Sequence, residues 1–242
     1  MKFLILGDVH GCWADLNVTI AAAIKDHPDI THIVQVGDFG YGFTSIPNYK
    51  PFKASKGYLD SEQMEIYNAA EKLWLDGNHE NFDKLEAEGD AWQPKWKYMP
   101  RGSILEVNGY RAMFFGGASS IDKDYRTPHV SWWPQEDITY GQVQKTLEKV
   151  DGPIDALFSH EHAECVPYAD NRYKKRDPKS QANRRMLQQL VEKFQPNFHF
   201  FGHHHKPDRG IVGQMEWVCC PIIEMPKAYT IWTGTAIHTN WQ

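Results

Sequence analysis

The chain has 242 residues, 41% of them apolar and 13% aromatic, enough to bury a sizeable core and suited to one domain over residues 1–242. A formal net charge of −5 and a pI near 6.2 argue against a generally basic protein that coats nucleic acid, while leaving room for a local basic patch. Cys12, Cys165, Cys219 and Cys220 form no Cys-x-x-Cys pair, which fits a reduced, cytoplasmic protein. The first apolar run stops at Asp8, short of the about 7–15 apolar residues of a signal peptide, and no stretch approaches the ~20 of a membrane span.

Lys2 to Leu6 is a short apolar run closed by Gly7, as in a strand buried on both faces. Leu16, Ile20, Ala23 and Ile24 recur at helical spacing and predict a helix from Ala14 to Lys25. His32 to Val36 predicts a second strand, ending at Gly37; Phe39 to Gly57, rich in Gly, Pro, Tyr and Phe, reads as an ordered surface loop. A helix is expected over Ser61 to Lys72, with Ser61 as its cap candidate, although the acidic residue falls one place later rather than three. A strand over Lys72 to Leu75 ends at Asp76-Gly77. Ser103–Val107 and Tyr110–Phe115 flank Asn108-Gly109, a dipeptide suited to a type I′ hairpin turn. Gly116 to Pro134 reads as a long functional or packed loop. Helices over Thr139–Val150 and Gln181–Phe194 then alternate with strands over Ile154–Phe158 and Phe198–Phe201, before short strands over Gly210–Val212, Glu216–Val218 and Ala228–Trp232. Strands alternating with helices, then strands alone, predict an α/β fold: a layered β-sandwich of two mixed sheets flanked by helices.

Five segments share one pattern, an apolar strand, usually a glycine, then a side chain able to bind metal. They lead to Asp8 and His10, to Asp38, to Asn78-His79-Glu80, to His160, and to His203-His204-His205. Ligands of open α/β sheets bind beyond the carboxyl ends of the strands, so five strand ends would converge on one edge. In extended chain Asp8 and His10 share a face, as do His203 and His205, while His204 points elsewhere, toward the metal surroundings, the substrate or solvent. The candidate donors Asp8, His10, Asp38, Asn78, His160, His203 and His205 mix nitrogen and oxygen without thiolate. That set suits Mn²⁺ as first choice, then Fe, Zn²⁺, Co²⁺ or Ni²⁺, and suits Ca²⁺ poorly. Seven donors exceed the needs of one first-row ion. Two ions about 3.5–4 Å apart, bridged by a carboxylate and a water, accommodate them, acidify that water and clamp an in-line displacement at phosphorus.

Each piece is weak or moderate alone; the five in order are the signal. Asp8-x-His10, Gly37-Asp38, Gly77-Asn78-His79-Glu80, His160 and Gly202-His203-x-His205 resemble the signature of the calcineurin-like metallophosphoesterases. The resemblance implies a β-sandwich flanked by helices with a dinuclear site at one end. It implies one ion on Asp8, His10, Asp38 and His205, a second on Asp38, Asn78, His160 and His203, and Asp38 as the bridge. It makes His79 the residue that protonates the leaving alkoxide or stabilises its charge. The second motif reads Gly37-Asp38-Phe39-Gly40-Tyr41-Gly42-Phe43, lacking the second Asp and the Arg of the protein Ser/Thr phosphatase branch. The segments Gly116–Asp122 and Ser131–Glu136 are similar to small bacterial and bacteriophage members.

The resulting expectation is a phosphoesterase acting on phosphodiester or nucleotide-type substrates by attack of metal-bound hydroxide. The alternatives are a phosphomonoesterase, including a protein phosphatase, and a non-catalytic metal-binding scaffold. Arg172, Lys174, Lys175, Arg176 and Lys179, with Arg184 and Arg185 behind them, form either a solvated loop or a basic rim over 171–185 that recruits nucleic acid. Trp132 and Trp133 either pack their loop onto the core or stack on a base. Arg126 and His129 are candidate phosphate contacts, and His162 is a candidate support for the metal site.

Overall fold

The computed structural model describes residues 1–40, 53–88, 95–168, 178–225 and 227–241. Two six-stranded sheets form the centre. In the first, β1 (Phe3–Leu6), β2 (His32–Val36) and β3 (Glu71–Leu75) run parallel, with β4 (Lys97–Tyr98) beside β3. On the other side β11 (Thr230–Trp232) pairs antiparallel with β1, and β12 (Ile237–Thr239) completes that edge. In the second sheet β5 (Ser103–Val107) and β6 (Tyr110–Phe115) make the expected hairpin. Asn108 and Gly109 have φ of 49° and 82° there, as a type I′ turn requires. β7 (Ala156–Ser159) and β8 (Phe198–Phe201) continue parallel to β6, followed by β10 (Met215–Cys219) and the antiparallel edge β9 (Asp208–Val212).

The alternation of side chains along each buried strand builds the layers. Phe3, Ile5, Val34, Val36, Leu73 and Leu75 face across to Phe114, Ala156, Phe158, Phe200 and Val218 in one buried cluster between the sheets. The opposite faces of β1 to β3 carry Leu4, Leu6, Ile33 and Trp74, which pack with Leu16, Ile20 and Ile24 of α1 (Trp13–Asp26) and Tyr67 of α2 (Ser61–Ala69). On the far side, Met113, Phe115 and Leu157 meet Val143 of α4 (Tyr140–Lys149) and Leu187, Leu190 and Phe194 of α5 (Pro178–Phe194). The layering is helix, sheet, sheet, helix.

Three expectations need correction. The cap of α2 is Asp60, not Ser61: its carboxylate accepts from Gln63 N while the Gln63 side chain accepts from Asp60 N, a capping box with its polar partner at the third position. Helix α5 begins at Pro178 rather than Gln181; proline is favoured in a first helical turn, where its missing N–H costs nothing. A short helix α3 (Phe82–Glu88), the two-residue β4 and the edge strand β12 are additional. Most of the 39–57 loop and Arg172, Lys174, Lys175 and Arg176 of the basic run lie outside the described residues. All four cysteines are free thiols. Among the described residues no helix is long and apolar enough to cross a membrane.

Candidate metal centre

The carboxyl ends of β1, β2 and β3 deliver Asp8, Asp38 and Asn78, and those of β7 and β8 deliver His160 and His203. The two parallel sets face each other, so the five ends meet at one end of the sandwich. The chain turns abruptly there. His10, Asp38, His203 and His205 have φ of 47°, 57°, 66° and 59°, a left-handed conformation that costs non-glycine residues free energy and gathers at functional sites. The extended geometry expected for the Asp8/His10 and His203/His205 pairs is therefore not what aims them. Backbone bonds hold the turns: Val9 N and His10 N both donate to Asp38 O at 2.9 Å, and His203 N donates to Asp8 Oδ1 at 3.0 Å.

Asp8, His10 and His205 bring one ligand atom each into a first group, and Asp38, His160 and His203 into a second. His203 and His205 thus serve different groups. Asp38 lies between them, with Oδ2 3.7 Å from His10 Nε2 and Oδ1 3.3 Å from His160 Nε2. His160 Nδ1 donates to Val36 O at 2.8 Å, which fixes the tautomer and turns Nε2 toward Asp38 and toward Asn78 Oδ1, 3.1 Å away. The donors fit cations. His10 Nε2 and His205 Nε2 stand 3.1 Å apart, and His205 Nε2 is 3.4 Å from Asp8 Oδ2. That oxygen is buried with no hydrogen-bond partner among the described residues, and an unsatisfied buried carboxylate oxygen is costly unless a cation meets it. Burial opposes charge on His160, but the Asp38 carboxylate and its hydrogen bond push the imidazole up to about 10. A divalent cation would displace that proton.

A cavity of about 280 Å³ opens over this cluster, lined by Asp38, Asn78, His79, His203 and His205 together with Ile121, Asp122 and Arg126. Arg126 Nη2 lies 3.1 Å from His79 Nε2 and 2.9 Å from Asp122 Oδ1. Burial lowers His79 to about 4 despite the nearby Asp38 charge, so its imidazole is neutral at pH 7 and Arg126 donates to it. His129, the other candidate phosphate contact, is exposed and paired with Asp83 at 3.1 Å. Trp133 is buried, with Nε1 donating to Asp83 Oδ2 at 2.8 Å, so it packs the loop; Trp132 is half-buried. Glu80 does not serve His79. Its carboxylate accepts from Gly77 N at 2.7 Å and Gly40 N at 3.1 Å, tying two of the turns together, and burial beside Asp38 raises it to about 8.

Behind the site, His162 and His204 are buried around Glu161, so His204 is neither solvated nor substrate-facing. His204 Nε2 donates to Glu161 Oε1 at 2.9 Å, and Arg184 Nε lies 3.3 Å from Oε2. The guanidinium already balances the carboxylate, which makes this trio a polar brace rather than a third cation site. Its Oε2 is 3.9 Å from His203 Nε2. Sequence reasoning singled out neither Glu161 nor the buried pair of Asp76 with Arg101, where Nη2 and Oδ2 are 2.7 Å apart. Neither carried a sequence signal, because charged residues are read as surface unless a partner is known.

The sequence profile of the calcineurin-like phosphoesterases matches residues 1–207. Among solved structures, TT1561 of Thermus thermophilus is 10% identical, with 99% of this chain and 97% of that one covered and a TM-score of 0.59. GAP50, the anchor in the inner membrane complex of Plasmodium, is 14% identical over 99% and 83% of the two chains, with a TM-score of 0.53. The phosphopantetheinyl hydrolase PptH of Mycobacterium tuberculosis is 13% identical over 92% and 90%, with a TM-score of 0.50. At these identities the likeness is one of fold. No protein with a curated description matches the sequence. The profile covers every strand end that feeds the cluster, and the chain belongs to the calcineurin-like phosphoesterase family.

Proposed function

We propose that this protein is a dinuclear metal-dependent phosphoester hydrolase acting on phosphodiester or nucleotide-type substrates. The observation that carries the reading is the pair of ligand groups, Asp8/His10/His205 and Asp38/His160/His203, meeting at Asp38 beneath one cavity. Asp8, His10, Asp38 and His205 would hold one ion; Asp38, Asn78, His160 and His203 would hold the other. When bound, two such ions acidify a water and neutralise charge on the phosphoryl oxygens. The remaining work falls to this chain's own side chains. Arg126, held in the cavity wall by Asp122, binds a phosphoryl oxygen as a charge-assisted donor, from a different segment than the Arg missing at the second motif. His79, neutral in the free protein, would take a proton from solvent water at Nε2 once Arg126 turns from that nitrogen to the anionic phosphoester, and would pass it to the leaving oxygen.

The test is hydrolysis of an activated diester and the matching monoester by metal-stripped protein, with Mn²⁺, Zn²⁺, Ni²⁺ or Mg²⁺ restored. Asp38→Asn should abolish turnover by loss of metal. His79→Ala should keep metal and slow turnover by about 10²–10⁴-fold, most for poor leaving groups. Equal losses for good and poor leaving groups would remove His79 from the acid role. A second reading, a phosphomonoesterase, is favoured by the Arg126 cation, which suits a dianionic ester; the diester-to-monoester ratio decides. No turnover by folded protein that binds two ions would favour a non-catalytic metal-binding scaffold.

A further inference from the structure

Ser120, in the loop after β6, and Glu136, in the turn at Pro134–Glu136, have no part in the chemistry above, yet both are buried behind it. Ser120 and Glu136 are each 2% exposed or less, as enclosed as Asp8, Asp38 and His160. Glu136 Oε1 accepts from Ser120 N at 2.6 Å, and Oε2 lies 2.7 Å from Ser120 Oγ. Ser120 Oγ in turn lies 3.0 Å from Asn78 Nδ2.

The direction of this chain follows from the number of protons available. A hydroxyl has one proton, and above pH 7, where Glu136 is ionised although burial raises it to about 7, that proton goes to the carboxylate oxygen 2.7 Å away. Oγ then has only lone pairs left to offer, so the group it meets on Asn78 must be the donor, the amide NH₂. That leaves Asn78 Oδ1 on the opposite side, facing His160 Nε2 at 3.1 Å, where an ion of the second group would sit. With the amide turned over, the NH₂ would face the cation and the carbonyl would face a lone pair. Glu136 is fixed independently. Arg101 Nη2 donates to Gln135 O and Glu136 O at 2.9 and 3.0 Å, and its Nη1 to Asp137 O at 2.9 Å. The same guanidinium binds Asp76, two residues before Asn78. The frame therefore closes on the segment it orients.

We infer that Ser120 and Glu136 are positioning residues that lock the Asn78 amide with its oxygen toward the second metal ion. The inference rests on the metal reading of the site proposed above. Supports of this kind are worth about 10–100-fold in metal affinity.

The experiment titrates metal-stripped protein with Co²⁺ or Mn²⁺ against a competing chelator, reading two affinities, with thermal unfolding measured alongside. Ser120→Ala removes the acceptor, and Glu136→Gln keeps the side-chain volume but places an NH₂ where the hydroxyl proton must go. Each should weaken one of the two sites about 10–100-fold and leave the other within about twofold. Ser119→Ala is the control. Its hydroxyl is equally buried but has no hydrogen-bond partner among the described residues, and both affinities should stay at wild-type values. Wild-type protein with two ions, and folded Ser120→Ala and Glu136→Gln proteins with unchanged affinities, would overturn the inference alone. Wild-type protein that binds no ion would overturn the metal reading and this inference together.

Discussion

A single methyl group at Gly77 tests whether the site is as tightly built as its distances indicate. A Cβ there would stand 2.2 Å from Asp38 Oδ1, 2.5 Å from Asp38 N and 2.8 Å from His160 Nε2. Gly77 does not have a positive φ, so alanine suits the backbone and the collision is the whole effect. Ordinary contact begins near 3.4 Å, so the Asp38 carboxylate must retreat by about 1 Å. That oxygen also accepts from His79 N at 2.8 Å, so the His79 loop moves with it. Overpacking of this kind costs about 1–3 kcal/mol, a fall in Tm of about 2–12 °C for a chain of this size. A misplacement of 1 Å costs about 10²-fold in turnover. Gly77→Ala is thus expected to stay folded, lose one tightly bound ion and fall at least 10²-fold in kcat/KM. The assay combines metal analysis of the dialysed protein, thermal unfolding, and phosphoester turnover. Gly141→Ala is the control, because nothing lies within 4 Å of its added Cβ. Gly77→Ala protein with full metal content and wild-type turnover would refute the claim that Asp38 and His160 are held at these positions by packing.

Arg101→Ala takes the guanidinium from the fully buried Asp76 and leaves the Tyr98 hydroxyl donating to it at 2.8 Å. Breaking a buried pair in this way costs about 3–5 kcal/mol, or about 6–20 °C in Tm, and adding Asp76→Asn should recover part of the loss; a fall under about 3 °C would contradict it. His199 is buried on β8 with Nε2 2.7 Å from Ser159 Oγ, and burial pushes its imidazole down to about 3. The unfolded chain, with an ordinary histidine near 6.5, therefore binds the proton first. The stabilisation is complete above pH 6.5 and is lost as pH falls toward 3, on the order of a few kcal/mol in all. In His199→Gln the decline of Tm between pH 7 and pH 4 should be shallower, and parallel curves for the two proteins would rule this out. Arg126→Ala should raise KM for phosphoesters about tenfold or more and weaken inhibition by inorganic phosphate, with both ions still bound. Unchanged phosphate inhibition would remove Arg126 from substrate binding.

Much of this was legible in the sequence because it is local. Apolar runs of four or five residues ending in glycine mark strands buried on both faces, and in a parallel sheet their carboxyl ends must share an edge. That was enough to bring Asp8, Asp38, Asn78, His160 and His203 together and to place the hairpin at Asn108-Gly109. What escaped the sequence depends on contacts through space. Ser120 meets Glu136 across 16 residues and Asn78 across 42, and no periodicity connects them. His129 and Arg126 read alike in the sequence, but only Arg126 lines the cavity. The sequence leaves the place of His204 open; its burial against Glu161 decides it. Even the aim of the ligands was a tertiary matter. The turns at His10, Asp38, His203 and His205 adopt left-handed backbone that no local preference selects, held by hydrogen bonds between different strand ends, Val9 and His10 to Asp38 and His203 to Asp8. Composition and periodicity settle which residues can reach the edge of the sheets; packing between the two sheets decides which atom of each one faces the site.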